Sequence, residues 1–337
     1  MASCSRLWIP ITLSLLMVLL PQNPYASNGG QNEIEIIADQ EIDFSPPSLN
    51  ISSQYYPETF VDDASFFNSV RAESITAGNQ NSCVVYDDQS MSCTGYNYYG
   101  VLGVGYQSPS PYYETEHVKV NFPEGVKIVK AESGISSTCA IDTEGILWCW
   151  GHNTYGQTGS GSTETYLDSP ERVLIDSNET IVDVALGYQY KCALTVSQQI
   201  YCWGNNNYGQ LHFSSSDFSE KTMPTKIDIP NGINPVSISS KQSHTCILND
   251  NGATYCWGYN NYGQLGDGTT INRDKMVQVL LPFSDSAVSV KVGNSHSCAL
   301  LASGDLKCWG YNNYAQIGTK SNTPALYLYP TSVIDLP

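Results

Sequence analysis

The sequence predicts an all-β fold made of five repeats, and three observations support that prediction. One unit occurs five times in the 337 residues, and its first cysteines are separated by 56, 53, 54 and 52 positions. In every copy a second cysteine follows the first by ten positions. Between the two cysteines, apolar runs flank turn residues such as Asn249 to Gly252, which is typical of a β-hairpin. The paired cysteines are Cys83 and Cys93, Cys139 and Cys149, Cys192 and Cys202, Cys246 and Cys256, and Cys298 and Cys308.

The ten-residue spacing predicts one disulfide bond inside each repeat. Cysteines placed symmetrically about a turn lie opposite each other on the two strands, where a non-hydrogen-bonded pair brings side chains closest. Each bridge closes a loop of about eleven residues and stabilises the fold by roughly 3 kcal/mol. Zinc binding is the alternative, but zinc sites usually present close pairs such as Cys-x-x-Cys, so the spacing favours disulfides. No metal and no cofactor is expected.

A run rich in Gly, Asn and Tyr follows the second cysteine of each copy. Trp comes directly after the cysteine in four copies, and Thr94 replaces it in the first. Gly and Asn tolerate positive φ angles, so the run predicts a turn whose aromatic rings pack between units. We therefore assign to packing the tyrosines found six positions after each second cysteine, which are Tyr99, Tyr155, Tyr208, Tyr262 and Tyr314.

The fourth repeat resembles the hallmark of the regulator-of-chromosome-condensation family. Residues Trp257 to Gly266 match Trp-Gly-x-Asn-x-x-Gly-Gln-Leu-Gly throughout, and Gly293 with His296 to Leu300 resembles the family's upstream signature. The resemblance covers residues 70–337 and implies a β-propeller in which each repeat contributes one four-stranded blade. It implies function only loosely, since the family includes guanine-nucleotide exchange factors, chromatin-binding proteins, ubiquitin-ligase modules and secreted enzyme inhibitors.

A further strand is expected in front of each cysteine hairpin from the second copy onward. The first copy has no such strand in front of residues 70–77, whereas Ser332–Pro337 has no hairpin after it. Because these two ends are complementary, we expect the C-terminal strand to complete the first blade and to close a five-bladed ring without exposed sheet edges. An open arc, or a larger ring shared by two chains, is the alternative.

The N-terminal region predicts export. Residues 1–26 have the pattern of a secretory signal peptide, with Arg6 before the apolar stretch from Leu7 to Leu20. A membrane anchor is the alternative, but this stretch is shorter than the roughly 20 residues that span a bilayer. Residues 27–69 form an acidic, flexible leader with no Lys or Arg, and residues 70–337 form the repeat domain. We expect a secreted protein, extracellular or periplasmic, without a membrane span after signal cleavage.

The charge restricts the classes of partner. The formal net charge is −17, and removing the signal peptide with Arg6 changes it to −18. Nucleic acids are bound through basic surfaces, so no nucleic-acid partner is expected, and anionic membrane surfaces are disfavoured for the same reason.

The hairpin arrangement sorts the loops onto two ends of the domain. The turns between the cysteines carry acidic residues, among them Asp142, Glu144 and Asp250. The opposite end is rich in Tyr and Asn, a composition that antibody combining sites share because tyrosine offers stiff contact area with a polar tip. Packing between repeats is the alternative role for these rings. The candidate partner-binding residues are Tyr96, Tyr98, His152, Tyr188, Tyr190, Tyr259 and Tyr311.

These observations favour an exported protein-binding scaffold that recognises an extracellular or periplasmic partner protein through the Tyr/Asn-rich end. The five histidines are not placed in a consistent Ser/His/Asp arrangement, so no catalysis is expected. A carbohydrate-binding propeller is an alternative, because tyrosine rings and amide groups suit sugars. A regulator resembling a guanine-nucleotide exchange factor is a weaker alternative, since export, cysteine pairs and acidity all oppose it.

Overall fold

The computed structural model describes residues 70–334 apart from residues 163, 177–178, 214–218 and 283–284. In these residues the chain forms twenty β-strands and no helix, which confirms the all-β prediction. The predicted signal peptide, the predicted acidic leader and residues 335–337 lie outside the described residues.

The strands form five four-stranded antiparallel sheets, each made of four strands that are consecutive in the chain, and we call these sheets blades 1 to 5. Blade 1 contains β1 (Ala72–Ala77), β2 (Asn81–Tyr86), β3 (Met91–Tyr96) and β4 (Tyr113–Lys119). Blade 2 contains β5 (Ile128–Ser133), β6 (Ser137–Asp142), β7 (Leu147–His152) and β8 (Tyr166–Arg172). Blade 3 contains β9 (Ile181–Leu186), β10 (Tyr190–Thr195), β11 (Ile200–Gly204) and β12 (Lys221–Lys226). Blade 4 contains β13 (Pro235–Lys241), β14 (His244–Asn249), β15 (Thr254–Gly258) and β16 (Arg273–Gln278). Blade 5 contains β17 (Ala287–Val292), β18 (His296–Leu301), β19 (Leu306–Tyr311) and β20 (Leu326–Ser332).

The second and third strands of each blade form the predicted cysteine hairpin. In blade 4, for example, Cys246 lies directly opposite Cys256 in the antiparallel register. All five predicted pairs form disulfide bonds, with Cα–Cα distances of 4.1 to 4.2 Å. The short separation fits directly opposed residues, because such pairs approach most closely where the ladder lacks hydrogen bonds.

The apolar core is divided among the junctions between consecutive blades. Four clusters of buried residues occur in the described chain, and each joins one blade to the next. In the last of them, the Cys246–Cys256 bridge and Leu248 of blade 4 pack with Ala299 and Trp309 of blade 5. Because residues alternate between the two faces of a strand, the cysteines face the following blade and the tryptophans face the preceding one.

A tryptophan hydrogen bond repeats at every junction. The indole Nε1–H of Trp150, which is fully buried, donates to the backbone carbonyl of Val101 in the preceding blade at 2.8 Å. The same bond is made at the other three junctions, by Trp203 to Gln157, Trp257 to Gln210 and Trp309 to Gln264, at 2.8 to 2.9 Å. Thr94 stands at this position in blade 1, which has no preceding blade among the described residues.

The predicted completion of blade 1 by the C-terminal strand is wrong for the described residues, and closure of the ring is not confirmed in them. Ser332 pairs with Lys307 inside blade 5, and blade 1 is complete with its own four strands. The segments expected in front of each hairpin begin within the last residues of the fourth strand of the preceding blade. That strand pairs inside its own blade because the Gly/Asn loop returns the chain antiparallel to the third strand. In the described chain, the contacts between blades join consecutive blades, and no comparable contact joins blade 5 to blade 1.

None of the described residues forms a helix with the length and apolarity that crossing a membrane requires. In the same part of the chain, His, Cys, Asp and Glu side chains do not come together in a group of three or more that a metal ion would need.

Candidate functional site

A buried asparagine holds each loop of the Tyr/Asn-rich end. In blade 4, Asn260 accepts the backbone N–H of Leu265 at 2.9 Å and donates to the carbonyl of Ile271 at 3.0 Å and to Asp267 at 3.1 Å. One side chain therefore ties together three parts of the loop. The equivalent asparagines of all five blades are buried: Asn97, Asn153, Asn206, Asn260 and Asn312.

In blades 2 to 5 a glutamine bonds to the backbone of the tyrosine found six positions after the second cysteine. In blade 4 the Oε1 atom of Gln264 accepts the backbone N–H of Tyr262 at 3.0 Å. Gln157, Gln210 and Gln316 make the same bond to Tyr155, Tyr208 and Tyr314 at 2.8 to 3.0 Å. Because the backbone at these tyrosines is already bonded, the loops need little rearrangement before their rings contact a ligand.

Five tyrosines form one continuous row of rings across blades 3, 4 and 5. Tyr208 contacts Tyr259 of the next blade with ring centroids 4.9 Å apart, and Tyr262 contacts Tyr311 of the following blade at 4.9 Å. Tyr259 and Tyr262 are 6.0 Å apart, and Tyr311 and Tyr314 are 6.1 Å apart. These spacings are typical of aromatic pairs. We call these five residues the tyrosine row.

A second aromatic cluster spans blades 1 and 2. The Tyr98 ring lies between Tyr99 at 4.8 Å and Tyr112 at 4.9 Å, with Tyr96 at 6.3 Å. Tyr99 contacts the His152 ring of blade 2 at 4.7 Å, so the cluster crosses that junction. The second cluster and the tyrosine row are separate, because at the junction of blades 2 and 3 Asn205 stands where Tyr259 and Tyr311 stand in blades 4 and 5.

His152 is a neutral member of this cluster. The amide of Gln157 donates to its Nδ1 atom at 2.8 Å, so the proton of the neutral ring is on Nε2, which lies 2.8 Å from the Thr154 hydroxyl. Burial lowers the pKa of His152, and the nearby charge of Lys191 lowers it further. The ring is thus an aromatic contact residue at pH 7.

The candidate binding residues differ in how they are placed. Tyr98 and Tyr188 are exposed, whereas Tyr96, His152, Tyr259 and Tyr311 are half-buried within the two aromatic groups. Tyr188 lies outside both groups, since no ring contact includes it in the described chain. Burial raises the pKa of Tyr96 and of Tyr259, so both hydroxyls remain protonated donors at neutral pH.

The inclusion of Tyr190 among the binding residues is wrong. Tyr190 is fully buried, and its hydroxyl lies 2.8 Å from that of Thr245 in blade 4. Gly187 makes room for the ring, because a Cβ atom at that position would clash with it. Tyr190 faces the following blade, as its position on β10 requires, and it belongs to the junction core.

The separation of the tyrosines into packing residues and binding residues does not hold either. Tyr99, Tyr208 and Tyr262 do contact the following blade, as packing residues should. However, Tyr208 is 43% exposed and Tyr314 is 85% exposed, so the two sets share one surface. The sequence analysis missed Tyr112, which lies outside the repeated motif and gave no spacing signal.

The acidic turns at the opposite end have a more structural role than their charge suggests. Asp142 is buried and accepts the backbone N–H groups of Glu144 and Ile146 as well as the indole N–H of Trp148. Grooves of 330 to 540 Å³ lie at this end of the blades. The groove of 540 Å³ is lined by Leu280, Leu281 and Tyr329 among others.

A domain family and several proteins are similar to this chain in sequence. The RCC1-like domain matches residues 50–337. The ultraviolet-B receptor UVR8 of Arabidopsis thaliana is 29% identical over 251 residues, which are 74% of this chain and 56% of the receptor. The human E3 ubiquitin-protein ligase HERC2 is 27% identical over 260 residues, which are 75% of this chain and 5% of the ligase. The chain thus spans little more than half of the receptor and a small part of the ligase.

Solved structures share the fold. Human WBSCR16 is similar with a TM-score of 0.71 and 21% identity, over 80% of this chain and 68% of that one. Yeast RCC1 (Prp20), in its complex with Kap60, has a TM-score of 0.69 and 20% identity, over 79% of this chain and 62% of that one. At these identities, the similarity of the structures supports a common fold. The domain match over most of the chain, which forms five repeated blades, places this protein in the family of RCC1-like domains, to which it belongs.

Proposed function

We propose that this protein is an exported protein-binding scaffold that recognises a partner protein through its Tyr/Asn-rich end and catalyses no reaction. The observation that carries the proposal is the tyrosine row, which joins three blades and combines exposed rings with loops that buried asparagines and glutamines hold in place. Rigid aromatic contact area of this kind costs little entropy when a partner binds.

The compartment is part of the same proposal. Disulfide bonds form and persist in oxidising compartments, and five bridges in one chain are rare in the cytosol. The signal-peptide pattern of residues 1–26 supports export independently, on sequence alone.

The experiment compares partner recovery by three forms of the tagged mature protein. The Tyr259→Ala/Tyr311→Ala variant removes two rings of the tyrosine row, and Glu144→Ala removes a carboxylate from the opposite end. We expect the double variant to bind the partner recovered from extracellular fractions at least thirtyfold more weakly, since a buried interface tyrosine typically contributes about 2 kcal/mol or more. Glu144→Ala should bind like the wild type.

Binding is measured by surface plasmon resonance, and circular dichroism establishes that each variant is folded. The proposal fails if Glu144→Ala carries the loss, or if both variants bind equally well. A glycan array with the same proteins tests the carbohydrate alternative. Sugar binding that depends on Tyr259 and Tyr311 would show that the ligand of this end is a glycan and not a partner protein.

A further inference from the structure

The four junctions define what one blade requires from the next. On the side that faces the following blade, each of blades 1 to 4 presents its disulfide, two buried residues of the hairpin and the carbonyl that accepts the indole N–H. Both hairpin residues are apolar in blades 1 to 3, whereas blade 4 has Leu248 and Thr254. We call this side the trailing face and the opposite side the leading face. The tryptophan of the next blade covers each of these four trailing faces and is itself fully buried.

The leading face of blade 1 carries several polar side chains in place of the tryptophan, although Ile75, equivalent to the buried Val184 of blade 3, is 80% exposed on it. Ser82 is exposed, and Thr94 replaces the tryptophan found in the other four blades. The Ser92 hydroxyl lies 2.8 Å from the Tyr86 hydroxyl and 3.2 Å from Nδ1 of His117, so these polar groups bond to one another. Because Thr94 stands in place of the tryptophan, this face offers no indole to another blade.

The trailing face of blade 5 is apolar, and none of the described residues covers it. Leu300 is 41% exposed, whereas the equivalent residues of blades 1 to 4 are between 1% and 7% exposed; these are Val85, Ile141, Leu194 and Leu248. Leu306 and Val333 are half-buried, although their equivalents Leu147 and Val173 in blade 2 are buried. Blade 5 thus keeps the residues of an interior blade on a face that solvent reaches.

Blade 5 also has a backbone carbonyl at the position that accepts an indole N–H in blades 1 to 4. Among the described residues, no group donates to the backbone carbonyl of Gln316, which is equivalent to the carbonyls that accept Trp203, Trp257 and Trp309. Gly318 has a φ angle of 77°, like Gly266, whose absent Cβ would lie 2.8 Å from the Trp309 ring. A side chain at Gly318 would occupy the space that an indole fills at the other junctions.

We propose that the trailing face of blade 5 is a binding site for a tryptophan side chain that a strand of a partner protein presents. The occupant follows from the repeated junctions, in which the same set of residues always receives an indole from the neighbouring blade. A second copy of this chain does not supply one, because every tryptophan in the described residues already donates its N–H within its own chain. The leading face of blade 1 offers Thr94 instead.

The test uses the oxidised full chain with N-acetyl-L-tryptophanamide as the probe and follows backbone amide signals by nuclear magnetic resonance. We expect saturable shifts at Leu300, Leu306 and Gly318, with a dissociation constant on the order of 1 mM for a single side chain. The 1-methyl derivative, which lacks the N–H, should bind about fivefold more weakly because it cannot bond to the Gln316 carbonyl. N-acetyl-L-leucinamide should cause no saturable shift.

Leu300→Glu is the variant that should abolish the shifts, and Ile271→Glu, at an exposed apolar residue of blade 4, is the matched control that should leave them unchanged. Equal binding of the indole and its 1-methyl derivative, or shifts confined to the tyrosine row, would overturn the proposal. Light scattering of the probe-free chain completes the test: a dimer that Leu300→Glu dissociates would make a second copy the occupant and would also overturn it.

Discussion

Lys191 is a fully buried amine for which the described residues provide no carboxylate. Its Nζ atom is 3.3 Å from the carbonyl of Tyr190 and 3.5 Å from that of Gly187, so its hydrogen bonds are long. Thr138, Thr245 and Ser297 occupy the same position in blades 2, 4 and 5, and each forms a short hydroxyl hydrogen bond at its junction. Burial without a counter-charge lowers the pKa of Lys191 from 10.5 to about 7.

Replacing Lys191 with Met should stabilise the protein by about 1–3 kcal/mol at pH 7, because an apolar side chain of similar length removes the cost of burying an amine. The folded state releases the Lys191 proton near pH 7, whereas the unfolded chain keeps it up to about 10.5. Unfolding thus takes up a proton between these values, so wild-type stability rises with pH across that range.

Urea unfolding at pH 7 and at pH 9.5 measures this effect, with Lys226→Met, at an exposed lysine, as the control. The advantage of Lys191→Met over the wild type should shrink at the higher pH, and the control should show no such change. A variant that is less stable than the wild type at both pH values would contradict the burial argument.

The loops between the third and fourth strands depend on single buried side chains. Asn260 satisfies a backbone N–H and two backbone carbonyls of its loop, in addition to the Asp267 carboxylate that also binds Arg273 at 2.8 Å. This loop carries Tyr259 and Tyr262, so the same asparagine that stabilises the loop also positions rings that take part in three of the four contacts of the tyrosine row.

Asn260→Ala should lower the free energy of unfolding by about 1–3 kcal/mol, because the N–H of Leu265 is then buried without an acceptor. Thermal unfolding monitored by circular dichroism checks this, with Asn207→Ala, at the exposed residue after the equivalent asparagine of blade 3, as the control. Equal stability of the two variants would show that Asn260 does not hold the loop.

At the largest scale, the described blades follow one another in chain order, and their cores lie at the junctions between consecutive blades. Every residue of β6, β10 and β14 is buried, whereas exposed or half-buried residues alternate with buried ones along β2 and β18. In such arrays each repeat is stabilised by its neighbours, so the two end blades receive less stabilisation than the central ones.

Native-state hydrogen exchange should therefore be fastest in blades 1 and 5 and slowest in blade 3. Amide protons of β10 should exchange with the free energy of global unfolding, and those of β2 and β18 should exchange through smaller openings. Mass spectrometry of peptic fragments, taken after quenching and reduction of the disulfides, resolves the blades. Uniform protection of all five would indicate contacts between blade 5 and blade 1, and hence a closed ring.

Features that depend on neighbouring residues in the chain were predicted from the sequence. The ten-residue spacing placed Cys246 opposite Cys256 because a short turn fixes the register of a hairpin. The blade count followed in the same way, since each repeat carries its own hairpin and its own Trp-Gly-x-Asn run or a close variant. The tyrosine-rich end was located because all five loops leave the hairpin on the same side.

Only the tertiary structure decided which groups meet across a junction. Tyr188 and Tyr190 stand two positions apart, just before and at the start of β10, yet Tyr190 is buried against blade 4 and Tyr188 is exposed. The pairing of Ser332 with Lys307 likewise depends on the direction in which a long loop returns the chain. The physical reason is common to both cases: burial and strand pairing between distant segments depend on the packing of whole blades, which spacing along the chain does not encode.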